Sequence, residues 1–265
     1  MATTRLSGVP PVRSNNSRRN EPRRYHFVAG LIRCLVAAVS KPDYRGAENL
    51  PATGGFIAAS NHVSEVDGPI FSVFLYNNGR EPRVLAKRAL FTTPVVRWVM
   101  RSTRMIPVDR GSEKAASSLA AAAEELRAGA CVAIFPEGTL TRDPDCWPME
   151  AKTGIARIAL DAGLPVIPVA MWGQTAILGR YRRLPKPFPR KRVAVLAGPP
   201  VDLADLYGRQ DDHEATREAT SRIMDAITNQ LGELRGEIPP AQRFDLHLHP
   251  EYKAKMKNYP PVVRP

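Results

Sequence analysis

Short apolar runs alternate along this chain with longer stretches of helical periodicity. The run at 55–60, Gly-Phe-Ile-Ala-Ala-Ser, reads as a buried strand leading straight into Asn61 and His62. Runs at 44–50, 83–86, 104–108, 130–135, 165–172 and 192–197 read as further strands. Between and after them, 67–76, 94–100, 112–127, 153–162 and 213–234 carry helical spacing, with Gly129 and Gly163 placed as C-terminal caps. The stretch 136–151 follows neither period and is read as a loop. This alternation predicts an α/β fold: a mostly parallel sheet flanked by helices, with its chemistry at the carboxyl ends of the strands. His62, Asp109, Arg110 and Glu137 all fall at such ends.

The ends of the chain break the pattern. Residues 1–24 mix Pro, Ser, Asn and Arg without apolar periodicity and are expected to form a disordered basic arm. Residues 25–41 are apolar, but the stretch is shorter than the ~20 residues of a spanning helix and is interrupted by Arg33. It reads equally as an interfacial, membrane-docking amphipathic helix or as an ordinary core helix. A secretory leader fits poorly, because the basic region is long and no good cleavage site precedes Lys41-Pro42. The α/β domain is expected over 42–235, and 236–265 as a loosely packed, Pro-rich basic tail.

Charge narrows the partners. The 265 residues carry a net charge of +12 with a pI near 10.0, so an anionic partner is expected. Basic residues crowd the amino end and recur at 180–192, where Tyr181, Leu184 and Phe188 are interleaved with them. That composition suits an anionic bilayer, and it also suits single-stranded nucleic acid. Three cysteines without close spacing point to a reducing, cytosol-facing location rather than to disulfides or zinc. The His247-Leu-His249 pair has no cysteine or carboxylate pattern beside it, so no metal site is expected.

Within 61–67, Asn-His-Val-Ser-Glu-Val-Asp, a carboxylate five residues after a histidine can hold one imidazole N–H and leave the other nitrogen free as a base. The same Ser64 to Asp67 spacing also matches a helix capping box, in which Asp67 would only satisfy backbone N–H groups. Ser64 is a poor nucleophile candidate, since the chain has no Gly-x-Ser-x-Gly elbow.

These residues do not stand alone. The 61–67 segment resembles the His-x4-Asp motif of the glycerolipid acyltransferase superfamily, which includes the 1-acylglycerol-3-phosphate (lysophosphatidate) acyltransferases. Lys87 with Arg88-Ala89-Leu90-Phe91 and Pro94, then Ile106-Pro107-Val108-Asp109-Arg110, look like its second block. Phe135-Pro136-Glu137-Gly138-Thr139 looks like the third, Lys152-Thr153-Gly154 like the segment after it, and Val166-Ile167-Pro168-Val169 like the fourth. Order and spacing agree from 44 to 198.

The resemblance implies that His62 is the general base, oriented by Asp67, for direct attack of an acceptor hydroxyl on an acyl thioester. The thioester of coenzyme A or of acyl carrier protein would be a co-substrate, with no other cofactor. It further implies that Arg110, and Lys87 as a second candidate, bind the phosphate of a lysophosphatidate-like lipid. Glu137, Gly138, Thr139 and Lys152 would complete the substrate site, and the enzyme is expected at the cytoplasmic face of the cell membrane, peripheral or monotopic. With such a core, the membrane surface is favoured over nucleic acid as the anionic partner.

One position departs from the family pattern. The arginine that usually follows Glu-Gly-Thr is Leu140 here, and leucine donates nothing to phosphate. Arg142, two residues on, is the candidate replacement. Other acceptors stay open, among them glycerol 3-phosphate and other lysophospholipids. So does a catalytically inactive membrane or nucleic-acid binding protein, although the intact His62 and Asp67 argue against it.

Overall fold

The computed structural model describes residues 21–109 and 115–254. Arg110 and all but the end of the expected basic arm lie outside the described residues. Seven strands form one sheet: β1 (Ser40–Arg45), β2 (Phe56–Ser60), β3 (Pro82–Lys87), β4 (Ile106–Val108), β5 (Cys131–Ile134), β6 (Val166–Trp172) and β7 (Lys191–Ala197). Their order is β1-β7-β6-β2-β5-β3-β4, and every neighbouring pair is parallel except β6 with β7. The expected α/β class and mostly parallel sheet are therefore present.

β2 lies between β5 and β6, with all five side chains buried. Because successive strand residues point to opposite faces, Ile57 and Ala59 join one core while Phe56 and Ala58 join the other. On the first face, α4 (Ala115–Arg127), α5 (Gly154–Ala162) and α6 (His213–Arg235) supply Leu126, Ile158, Ile223 and Ile227. On the second, α1 (Arg23–Val39) and α2 (Asp67–Asn77) supply Val36, Phe71 and Phe74. α3 (Pro94–Ser102) starts with proline at its first position, where the missing N–H costs nothing, and leaves most of its surface to solvent.

Several expectations need correction. The strand expected at 44–50 is β1, five residues earlier at its end, followed by a 3-10 turn at Ala47–Asn49. Between them Gly46 has φ +70, and a Cβ there would sit 1.8 Å from the carbonyl oxygen of Ala197, so both conformation and space demand glycine. Order begins before residue 25: Glu21 pairs with Arg83 and, at 3.5 Å, with Arg104. The tail is not loose over 236–254, where Phe244 and Tyr252 are buried against Met149. In the basic run, Arg180 is buried and donates to the carbonyls of Thr141, Asp143 and Pro144, while Arg190 donates to Ser40 O. Both are structural clamps rather than surface charges.

α1 buries one face and exposes the other. Tyr25, Val28, Ala29 and Val36 are buried, whereas Phe27, Leu31 and Leu35, one helical turn apart, are 67%, 49% and 60% exposed. Among the described residues, no helix is long and apolar enough to cross a membrane.

Candidate active site

The site grows from the carboxyl end of β2. Asn61, fully buried, continues the strand with its side chain: Nδ2 donates to Met171 O at 3.0 Å and Oδ1 accepts from Met171 N at 2.8 Å. The amide thus takes the place of a ladder peptide while the main chain turns away from the sheet. His62 follows on that turn. Its backbone is held at both poles, because its N–H donates to Glu137 Oε1 (3.0 Å) and its carbonyl accepts from Thr141 N (2.7 Å).

Asp67 opens α2 and is wholly buried. Its Oδ2 accepts from His62 Nδ1 at 2.9 Å, and from the backbone N–H groups of Val63 and Ser64 at 2.6 and 2.8 Å. One oxygen thus closes the turn before α2 and holds the imidazole. With Nδ1 engaged by the carboxylate, Nε2 is the ring nitrogen on the far side of the imidazole. The imidazole stacks on Phe135, with ring centroids 4.1 Å apart and planes 20° apart, and its side chain retains 16% exposure. Ser64 Oγ donates to Leu178 O at 2.6 Å, which ties the hydroxyl into the structure and away from a nucleophilic role.

Glu137 lies at the end of β5, next to β2, and is 3% exposed. Its second oxygen, Oε2, accepts from Met149 N at 3.1 Å, so both oxygens serve backbone donors. Burial raises its pKa to about 8; the N–H bonds from Met149 and His62 oppose the shift, and the nearby Asp67 charge adds to it. Glu137 therefore holds the backbone of His62 in place. Gly138 has φ +68, and a Cβ there would meet only the Lys152 side chain at 3.8 Å. Its conformation, rather than close approach, calls for glycine.

Beside Phe135 a cavity of 390 Å³ opens between the sheet, α4 and α5, walled by Leu85, Val108, Leu119, Ile134, Ile155 and Ile158. Gly138 and Lys152 border it. Lys152 is exposed, and its backbone N–H donates to Pro136 O at 3.2 Å. Lys87, also exposed, ends β3 at the same sheet edge, where Arg88 pairs with Asp109 at 2.5 Å. Thr139 is half-buried beside Gly138. Among the described residues, no group of three His, Cys, Asp or Glu side chains is placed to hold a metal ion.

Arg142 corrects the sequence reading. It is buried, and its Nη1 donates to Tyr252 O at 2.8 Å and to Lys253 O. Committed to the carboxyl-terminal segment, it does not stand in for the arginine missing at Leu140, which is itself 6% exposed. Asn61 and Phe135 are two further residues that build the site. Both lie inside the quoted motifs, so adjacency to His62 and Glu137 was the available signal.

Comparison with known proteins gives consistent matches. A family model described as Acyltransferase matches residues 41–172. A chloroplastic 1-acyl-sn-glycerol-3-phosphate acyltransferase of Brassica napus is 31% identical over 58% of this chain and 44% of its own length. The protein of that name from Bacillus subtilis is 25% identical over 81% of this chain and 98% of its own length. That from Pseudomonas aeruginosa is 35% identical over 56% of this chain and 58% of its own. The matched part of the chain thus spans less than half the length of the Brassica relative. The crystal structure of the 1-acyl-sn-glycerophosphate acyltransferase PlsC from Thermotoga maritima shares the fold, with a TM-score of 0.60 and 24% identity over 81% of this chain and 80% of that one.

Proposed function

The chain belongs to the acyltransferase family, and from that premise we propose that it moves a fatty acyl group from an acyl thioester to the free hydroxyl of 1-acylglycerol 3-phosphate. The observation that supports this reading is the His62–Asp67 bond, which leaves Nε2 available to act as the base, with the imidazole stacked on Phe135, a residue of the apolar cavity's wall. The acceptor hydroxyl gives its proton to Nε2 as its oxygen attacks the thioester carbonyl. The tetrahedral intermediate then expels the thiolate, which takes that proton back from the imidazolium, so the C–S bond breaks as the C–O ester forms. Asp67 stabilises the imidazolium between the two steps. No covalent acyl-enzyme is required. The apolar cavity suits the acyl chain, and Lys87 and Lys152, with Arg110 next in the chain after Asp109, supply positive charge for the acceptor phosphate. The donor thiol belongs to coenzyme A or to acyl carrier protein.

A second reading, the same chemistry on a different acceptor, is favoured by Leu140 and by the diversion of Arg142. Purified protein supplied with labelled acyl thioester and a panel of glycerol 3-phosphate, 1-acylglycerol 3-phosphate and other lysophospholipids separates the two. Transfer to 1-acylglycerol 3-phosphate supports the first and preferential transfer to another acceptor supports the second. No transfer to any refutes both and favours a binding protein.

The enzyme would meet its lipid at an anionic membrane surface, peripherally and from the cytoplasmic side. The exposed stripe of α1, with Arg23 and Arg24 at its start, has the composition of an interfacial helix. α3 adds Val95 and Trp98 beside Arg97 and Arg101, and the 182–188 loop adds Leu184 and Phe188 beside Arg182, Arg183 and Lys186. Vesicles containing anionic lipid should bind the protein in a salt-sensitive manner, and Leu31→Glu should weaken that binding. Preference for an oligonucleotide over such vesicles would reject this surface as lipid-facing.

A further inference from the structure

We infer that residues 236–254 form a strap that positions His62 through two separate branches, an inference that rests on reading His62 as the base. The strap is anchored on α6, where Arg243 bonds Asp225 and, at 3.0 Å, Ser221 Oγ. It then runs beside the loop that follows β5. Met149 and Phe244 form a parallel bridge, and Glu150 N donates to Phe244 O at 2.9 Å.

The first branch passes inward from that bridge. Met149 N donates to Glu137 Oε2, and Glu137 Oε1 accepts the N–H of His62. The second passes through Arg142, whose guanidinium grips the carbonyls of Tyr252 and Lys253 while its neighbour Thr141 donates to the carbonyl of His62. Both backbone groups of the catalytic histidine are thus held by a loop that the strap holds in turn. Phe244 ties the two branches together, stacked on His249 with centroids 4.8 Å apart and set edge-on to Tyr252 at 5.2 Å.

The strap lies outside residues 41–172, the part of the chain that carries the family pattern. It supports a turn whose geometry the proposed reaction depends on. Met149, Arg142, Phe244 and Tyr252 are positioning residues and touch no reacting atom. A base displaced by a fraction of an ångström loses rate while substrate binding is untouched. The strap should therefore act on kcat and leave both KM values alone.

The test uses the full-length chain with Phe244→Ala and, separately, Arg142→Met, which cuts the second branch and leaves the Phe244 contacts in place. Steady-state acyl transfer is measured beside amide hydrogen exchange of peptides covering 61–67 and, as an internal reference, 191–197. Each variant should lower kcat by roughly tenfold to a hundredfold at unchanged KM, and speed exchange in 61–67 but not in 191–197. Phe244→Tyr, which keeps the ring contacts, should restore both.

Wild-type kcat with faster exchange confined to 236–254 would overturn the inference, as would a rise in KM at unchanged kcat. If the unaltered protein transfers no acyl group to any acceptor, the functional reading fails. The coupling is then judged on exchange alone: unchanged exchange at 61–67 in both variants overturns it.

Discussion

Replacing Glu137 with glutamine tests how a buried carboxyl group holds the His62 turn. Glu137 has two oxygens and serves two backbone donors, His62 N and Met149 N. Glutamine keeps one acceptor and turns an NH2 group toward the other donor, a mismatch costing about 1–3 kcal/mol. The protonated acid suffers the same mismatch, so at pH 5 the variant and the wild type should be about equally stable. Above that they diverge. The carboxyl titrates near its ordinary 4.5 in the unfolded chain but is raised to about 8 by burial in the folded one. Across that window the native state keeps a proton that the unfolded state has lost, so wild-type stability falls as pH rises, by up to roughly 1 kcal/mol per pH unit. Glutamine does not titrate and is spared this loss. Urea unfolding followed by tryptophan fluorescence from pH 5 to pH 9 should show the variant gaining on the wild type by a few kcal/mol, with the divergence ending near pH 8. Parallel stability curves would refute the claim that burial governs Glu137. At neutral pH the wild-type acid is still protonated and already carries the same mismatch, so the variant should keep kcat within a few-fold of wild type.

Two further substitutions probe the turn. Asp67→Asn keeps the shape but removes the charge from an oxygen that accepts three N–H groups. Weakening each bond by about 1 kcal/mol should cost kcat roughly a hundredfold at constant KM in a steady-state assay. Asn61→Leu strips Met171 of both its side-chain partners inside the sheet, and two unpaired backbone groups at about 1–3 kcal/mol each should lower Tm by roughly 10 °C in a thermal melt.

The parts legible in the sequence were those whose partners are set by pattern. β2, β5 and β6 are buried on both faces, and their unbroken apolar runs marked them as central strands of a parallel sheet. α5 ends at Gly163, with φ +61, where the sequence placed its cap. β1 was misplaced because Ser-Lys-Pro-Asp-Tyr-Arg is an edge strand, paired on one side only and half-exposed, so little of its sequence is constrained. At the site, His62 and Asp67 were visible because the pair is local, five residues apart. Arg142 was misread because its acceptors are carbonyls 110 and 111 residues farther along, and backbone carbonyls carry no sequence signature. The packing of 236–254 has a related reason for being hidden: two aromatic residues, Phe244 and Tyr252, do its work in a stretch otherwise marked by Pro and His.

The central claim is that Nε2 of His62 takes the acceptor proton, and His62→Ala tests it most directly. Acyl transfer from labelled thioester should be measured on the purified variant alongside its cooperative unfolding. The His62 ring is a partly exposed group stacked on Phe135, so its removal should leave the fold intact. Turnover should drop by about 10²- to 10⁴-fold. Activity retained at the wild-type level in a folded His62→Ala protein would contradict the account.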